Sequence, residues 1–218
     1  MSLRNMLNIQ NSFRLFVVLL SFAFGYNVQA TENISTETET RPESARQVVE
    51  QFQKTLLDVM QHGSELGFEG RYKKLAPAVK KSHALTKIAR IVVGREWKKL
   101  TEEQQKELVD TFTRLSISAY AYNFKEYSGE KFEFVSEEET ARGGKIIHNL
   151  LVIPDDNDVK FDYMLKKING DWKIINIIAD GVSDLAVRRS EYTSLLKNQG
   201  FDVLIAKMNE KIENYAKQ

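Results

Sequence analysis

Three histidines, His62, His83 and His148, are the side chains that titrate near neutral pH, and no two stand at a metal-pair spacing such as HExxH. His62 sits at a helix end beside Gly63, His83 at a helix start, and His148 in a β-rich run. Asp162, His148 and Tyr163 are the residue types for acid–base work, provided a polar pair points into a cavity. The alternation around Asp162 turns it outward, against that reading. Ser183, in Gly181-Val182-Ser183, reads as a helix cap rather than a nucleophile. There is no GxSxG elbow and no phosphate loop. Asp155-Asp156-Asn157-Asp158 lacks the Gly and distant Glu of a calcium loop and reads as a solvated turn. The chain has no cysteine, which removes thiol catalysis, iron–sulfur clusters and cysteine zinc sites. No catalytic residue, metal or cofactor is expected, and the chain is not expected to be an enzyme.

Two compositional features remain. Residues 71–99 hold ten basic side chains and one acid, Glu96. This is either the solvated face of two helices or a docking surface for anionic headgroups or an acidic partner. Aromatic residues gather in the second half: Phe112, Tyr120, Tyr122, Phe124, Tyr127, Phe132, Phe134, Phe161, Tyr163 and Trp172. Composition does not separate a filled core from a greasy cavity, and taken alone the filled core is the better reading.

The elements that position these residues follow from periodicity. Ser44 and Gln47 have capping-box spacing, followed by a helical stripe of Val48, Phe52, Leu56 and Val59 that ends at His62-Gly63. A second helix is expected over 68–76, broken at Pro77, and a third over 82–93, stopped by Gly94. Thr101 and Gln104 form another capping box and open the longest helix. It runs to Phe124 or beyond and is closed by Ser128-Gly129. Strands follow: an alternating segment at 132–135, a β-rich run over 145–153, and Val159, Phe161, Tyr163 and Leu165 at strict period two. Asn169-Gly170 is a strong hairpin signal before the returning strand at 172–178. Ser183 caps a further helix ended by Gly200, and Asp202 can cap the last. The predicted fold class is α+β: a four-stranded antiparallel meander with helices before and after it packed on one face.

The N-terminus is different in kind. Arg4 and Arg14 precede an apolar run over 15–25, and Val28-Gln29-Ala30 fits a cleavage site. Eleven apolar residues fall short of the roughly 20 a spanning helix needs. Residues 1–30 are therefore expected to be a signal peptide cut after Ala30, residues 31–43 a flexible leader, and residues 44–218 one α+β domain. Removing residues 1–30 leaves 29 basic and 30 acidic side chains, so nothing overall suggests a nucleic-acid binder.

Several segments taken in order resemble the MlaC family of toluene-tolerance-type proteins. Ile91-Val92-Val93-Gly94-Arg95-Glu96-Trp97, then Leu100-Thr101-Glu102-Glu103-Gln104-Gln105, resembles its "LG-x-x-W-x-x-L-s-x-x-Q" stretch. Tyr127-Ser128-Gly129 resembles its "Y-x-G" turn. Val159 to Tyr163 with Asn169-Gly170-Asp171-Trp172 resembles its hairpin, and Gly181-Val182-Ser183 its "G-V-S" turn. The resemblance covers roughly residues 44–213; its Ser183-to-Tyr192 stretch is similar to the hopanoid-associated HpnM branch. Residues 82–87 lack the "F-D" of many relatives. Membership implies a periplasmic carrier that holds phospholipid, or a hopanoid-type lipid, by its acyl chains in a hydrophobic pocket between sheet and helices. It implies transient partners, an inner-membrane ABC transporter complex and an outer-membrane lipoprotein complex. The inward faces then supply a candidate lining: Val92, Val93, Trp97, Phe112, Leu115, Ala119, Tyr120 and Phe124 from the helices, and Val152, Phe161, Tyr163, Leu165, Ile174, Ile177, Val182, Leu185, Tyr192 and Leu196 from the sheet and closing helices. A tail-sized opening is expected. The alternatives are an envelope adaptor with a filled interior and a large exposed apolar patch, and a small cavity enzyme using Asp162, His148 or Tyr163.

Overall fold

In the computed structural model, which describes residues 44–217, helices precede and follow an antiparallel sheet. The expected signal segment and leader lie outside the described residues. α1 (Ala45–Gln61) opens at the capping box: Gln47 N donates to Ser44 Oγ and Ser44 N to Gln47 Oε1. α2 (Gly63–Ser82) bends at Gly67, where φ is 57°. It then passes through Pro77, so the expected break there is wrong. The proline costs about 3 kcal/mol or more in a helix interior. Leu75 and Val79 on either side are wholly buried, worth about 1.5–3 kcal/mol each, and a break would take one of them off the core face. α3 (Leu85–Val93) consequently starts later than expected. It ends where Gly94 takes φ 60°, and a 3₁₀ turn (Gly94–Lys99) follows. α4 (Glu102–Asn123) opens at the Thr101–Gln104 box and is capped by buried Phe124, short of Ser128-Gly129.

The sheet is a five-stranded meander in sequential order: β1 (Lys131–Glu139), β2 (Lys145–Val152), β3 (Val159–Ile168), β4 (Asp171–Ala179) and β5 (Val182–Ser183). The fifth, two-residue strand corrects the expected four. It arises because Asp180-Gly181 has positive φ at both positions, 46° and 79°, as Asn169-Gly170 does at 52° and 88°. Both pairs suit the two-residue hairpin turn. Val159, Phe161, Tyr163 and Leu165 of β3 are all buried. The alternation read in β1 buries little: Phe134 and Val135 are exposed, and Glu133, Glu137, Glu138 and Glu139 charge this edge. α5 (Asp184–Gln199) is capped by Ser183, whose Oγ accepts from Ala186 N. α6 (Phe201–Ala216) starts at Gly200, so Asp202 lies in its first turn rather than at its cap.

Two apolar clusters divide the interior. The sheet-side cluster joins α1, α2 and the end of α4 to the inner face of β2–β4, through Phe52, Leu56, Leu75, Ile117, Phe161 and Tyr163 among others. The helix-side cluster joins α3, α5 and α6 to the first half of α4, through Val92, Leu108, Leu115, Tyr192 and Leu204 among others. α4 crosses both.

Candidate functional site

A cavity lies on the seam between the clusters. α4 supplies one wall because Phe112, Ser116, Ala119 and Tyr120 share a helical face, with Phe124 at its end. β3 supplies the floor through Phe161 and Tyr163, whose rings stack at 6.1 Å. In β4 the register slips: Leu165 pairs with Ile174 while Met164 pairs with Asn176, leaving Ile175 as an extra residue. Four consecutive residues, Ile174 to Ile177, therefore reach the cavity. Phe52 and Leu56 of α1, Leu85 and Ile88 of α3, and Leu185 of α5 complete the apolar lining.

The cavity volume is about 50 Å³, room for a water or two and not for an acyl chain. This corrects the expected tail-sized opening. A void costs about 24 cal/mol per Å³, so several hundred unfilled Å³ would cost on the order of 10 kcal/mol. That is comparable to the whole stability of a domain, about 5–15 kcal/mol. An apolar pocket of tail size must be able to close on itself.

A polar chain enters this greasy slot. His83 Nε2 lies 2.9 Å from Tyr120 Oη, and Nδ1 lies 2.8 Å from Ser82 Oγ, which donates to Ala78 O at 2.6 Å. With the Ser82 proton committed, Nδ1–H donates to Oγ and the Tyr120 phenol donates to Nε2, so His83 is neutral. Burial pushes its pKa down to about 4 from 6.5 and raises that of Tyr120 well above 10. Opposite, Arg188 Nε donates to both Asp184 carboxylate oxygens, at 2.9 and 2.7 Å, with its guanidinium 5.8 Å from the Phe112 ring centroid. Burial acts most strongly and lowers the Arg188 pKa, but the Asp184 charge and hydrogen bond, together with Tyr192 and Tyr215, outweigh it and the net direction is upward. Asn176 Oδ1 accepts from Leu185 N at 3.2 Å and Ser183 Oγ at 3.1 Å, tying β5 and α5 to β4.

Half of the candidate lining meets the slot: Phe112, Ala119, Tyr120, Phe124, Phe161, Tyr163, Ile174, Ile177 and Leu185. The other half does not. Val92, Val93, Leu115, Tyr192 and Leu196 are buried in the helix-side cluster and Leu165 in the sheet-side one, facing protein. Trp97 borders a second depression, Val152 is half-buried at the end of β2, and Val182 is exposed on β5. Phe52 and Leu56 were in view as a helical stripe. His83 is legible only as a titrating side chain at a helix start, and Ser116, Asn176, Asp184 and Arg188 carried no signal beyond the i,i+4 spacing of the last two. The His148–Asp162 pair forms at 2.7 Å but lies outside the slot lining, with Glu138 nearby at 3.9 Å. Among the described residues no cluster of His, Cys, Asp and Glu could hold a metal ion.

The second depression is an open groove of about 1,310 Å³ bounded by α2, α3, the 3₁₀ turn, α4, the β3–β4 hairpin and α5. Eight lysines and arginines line it against one carboxylate, Asp110. His83 and Leu85 border both groove and slot.

The MlaC protein family model matches residues 46–210. The chain is 28% identical over 123 residues to the intermembrane phospholipid transport system binding protein MlaC of Haemophilus influenzae, covering 55% of this chain and 58% of that protein. It thus spans little more than half of that curated relative. Its fold is similar, with a TM-score of 0.70 and 17% identity, to the phospholipid-binding protein from Ralstonia solanacearum solved in complex with a phospholipid. That match covers 79% of this chain and 99% of the other.

Proposed function

The chain belongs to the MlaC family, and from that premise we propose that it is a periplasmic carrier that takes the acyl chains of a phospholipid into the slot and moves the lipid between the two membranes. The observation that carries this is the slot itself, an apolar cavity lined from both sides of a seam between two separately packed clusters. Exported by its signal segment, the carrier meets an outer-membrane lipoprotein complex and an inner-membrane ABC transporter complex in turn.

Each buried CH₂ is worth about 0.8 kcal/mol, so two chains of about 15 carbons represent on the order of 20–25 kcal/mol that water cannot supply. The carrier replaces bilayer with protein. Its two clusters part along the seam, and tail contacts take the place of contacts between side chains. Transfer is then a near-balanced exchange with its direction set by the partners. No bond is made or broken, and no general acid or base has a task.

Organic extraction of the purified protein followed by mass spectrometry tests this. Phospholipid is expected from the wild type. Ala119→Trp, which overfills the slot and should cost about 1–3 kcal/mol, should lower occupancy several-fold in the molecules that stay folded. Wild-type protein that yields no lipid would return the chain to the adaptor class; unchanged occupancy in folded Ala119→Trp would remove the slot as the site.

A further inference from the structure

We infer that the basic groove beside the slot holds the headgroup of the carried lipid, and that this headgroup is a net-anionic phosphate ester. The inference rests on the carrier reading and goes beyond it by naming the lipid class.

Continuity comes first. His83 and Leu85 border both groove and slot, so the two are adjacent, and a molecule with its chains in one has its polar end within reach of the other. Charge comes second. Lys80, Lys87, Arg90, Arg95, Lys98 and Arg189 border the groove, and among the described residues none of these six has a carboxylate within 4 Å. The one carboxylate of the lining, Asp110, is held by Lys106 at 2.6 Å, outside the groove lining. The concentration is local, because residues 31–218 carry nearly equal numbers of acids and bases. Shape comes third. Cations from α2, α3, the 3₁₀ turn and α5 border a concave groove, which a flat bilayer does not fill and which has room for a headgroup. The Arg189 guanidinium lies beside the Gly94 turn, where a Cβ would stand in ordinary contact, 3.6 Å from Nη2. Three guanidinium forks, from Arg90, Arg95 and Arg189, match phosphate oxygens in a way an uncharged polycyclic lipid cannot use.

The test uses the purified chain with monomeric short-chain lipids, so that attraction to a membrane surface plays no part. Dihexanoyl phosphatidylglycerol, dihexanoyl phosphatidylcholine and inorganic phosphate are titrated calorimetrically, each at low and high salt. The wild type should prefer phosphatidylglycerol over phosphatidylcholine by roughly tenfold at low salt, and less at high salt as the field is screened. Combined Arg90→Gln, Arg95→Gln and Lys98→Gln should reduce the preference to about twofold, with phosphatidylcholine losing less affinity than phosphatidylglycerol, and an unchanged far-ultraviolet circular dichroism spectrum reports that the variant is folded. Equal affinity for the two lipids in the wild type, or a preference that survives the triple substitution, overturns the headgroup inference and leaves the carrier reading standing. Inorganic phosphate binding as tightly as phosphatidylglycerol makes this a free-anion site and overturns it as well. If neither lipid binds, the carrier reading falls and takes the inference with it.

Discussion

The sheet-side and helix-side clusters differ in their polar groups: the ion pair on the helix side, Asp184–Arg188, lies within α5, whereas a hydrogen-bond chain between α2 and α4 threads the sheet side. Gln53, His83 and Asn149 are buried on or beside it, together with the Tyr163 ring. The helix-side cluster closes on Ile, Val, Leu, Ala and Met with Phe112 and Tyr192. Aliphatic contacts can be exchanged for contacts with hydrocarbon at little cost, because dispersion does not distinguish a Leu from a lipid tail. A buried polar chain cannot be parted so easily: each donor or acceptor left unpaired costs about 1–3 kcal/mol. The sheet side is therefore the fixed wall of the seam and the helix side the wall that gives.

The largest effects should come from the cluster centres. Leu204→Ala and Leu56→Ala each remove a side chain with 1% exposure or less, and should each cost about 2–5 kcal/mol in urea unfolding. Only Leu56 borders the slot, so Leu56→Ala should keep or raise lipid occupancy per folded molecule; equal effects of both on occupancy would break the distinction between core and wall.

Acid separates the clusters next. His83 has a pKa of about 4 in the folded chain against 6.5 unfolded, so the unfolded chain takes up the proton first. Stability is full above about pH 6.5 and falls as the pH drops towards about 4, by on the order of 3 kcal/mol. Tyr120, Asp184 and Arg188 are the titratable groups acting on it. Hydrogen exchange at pH 5 should quicken in α1 and β4 before α6. His83→Phe should flatten the urea midpoint between pH 7 and 5, and a slope that persists in this variant would move the acid sensitivity elsewhere.

Smaller effects sharpen the same contrast. Tyr120→Phe deprives His83 Nε2 of its donor and should cost about 1–3 kcal/mol, read from thermal melts. Phe134→Ser, on the exposed edge strand outside both clusters, removes only the stacking of the Arg46 guanidinium on its ring and should cost no more than about 1 kcal/mol.

Much of this architecture was legible along the chain. The Ser44 and Thr101 capping boxes, the period-two run of β3 and the Asn169-Gly170 hairpin are local signals, and each forms where its spacing places it. Asp180-Gly181 carried the same turn chemistry and marks the fifth strand, which a reading confined to longer runs passed over. Pro77 misled because its local penalty is real but smaller than the burial of Leu75 and Val79 around it. The polar chain of Ser82, His83 and Tyr120 was not legible, since His83 and Tyr120 are 37 positions apart and meet only when α4 crosses the joint between α2 and α3.

The order of helices and strands, the apolar face of each, and the concentration of cations over residues 71–99 are properties of the amino-acid sequence, because local propensity and periodicity act within a few residues. Which apolar side chains line a slot and which fill a cluster was decided by tertiary structure alone. Both tasks ask for the same chemistry. Periodicity sets the direction in which Leu115 or Ala119 leaves its own helix, but only the packing of neighbouring elements determines whether it meets another side chain or the seam.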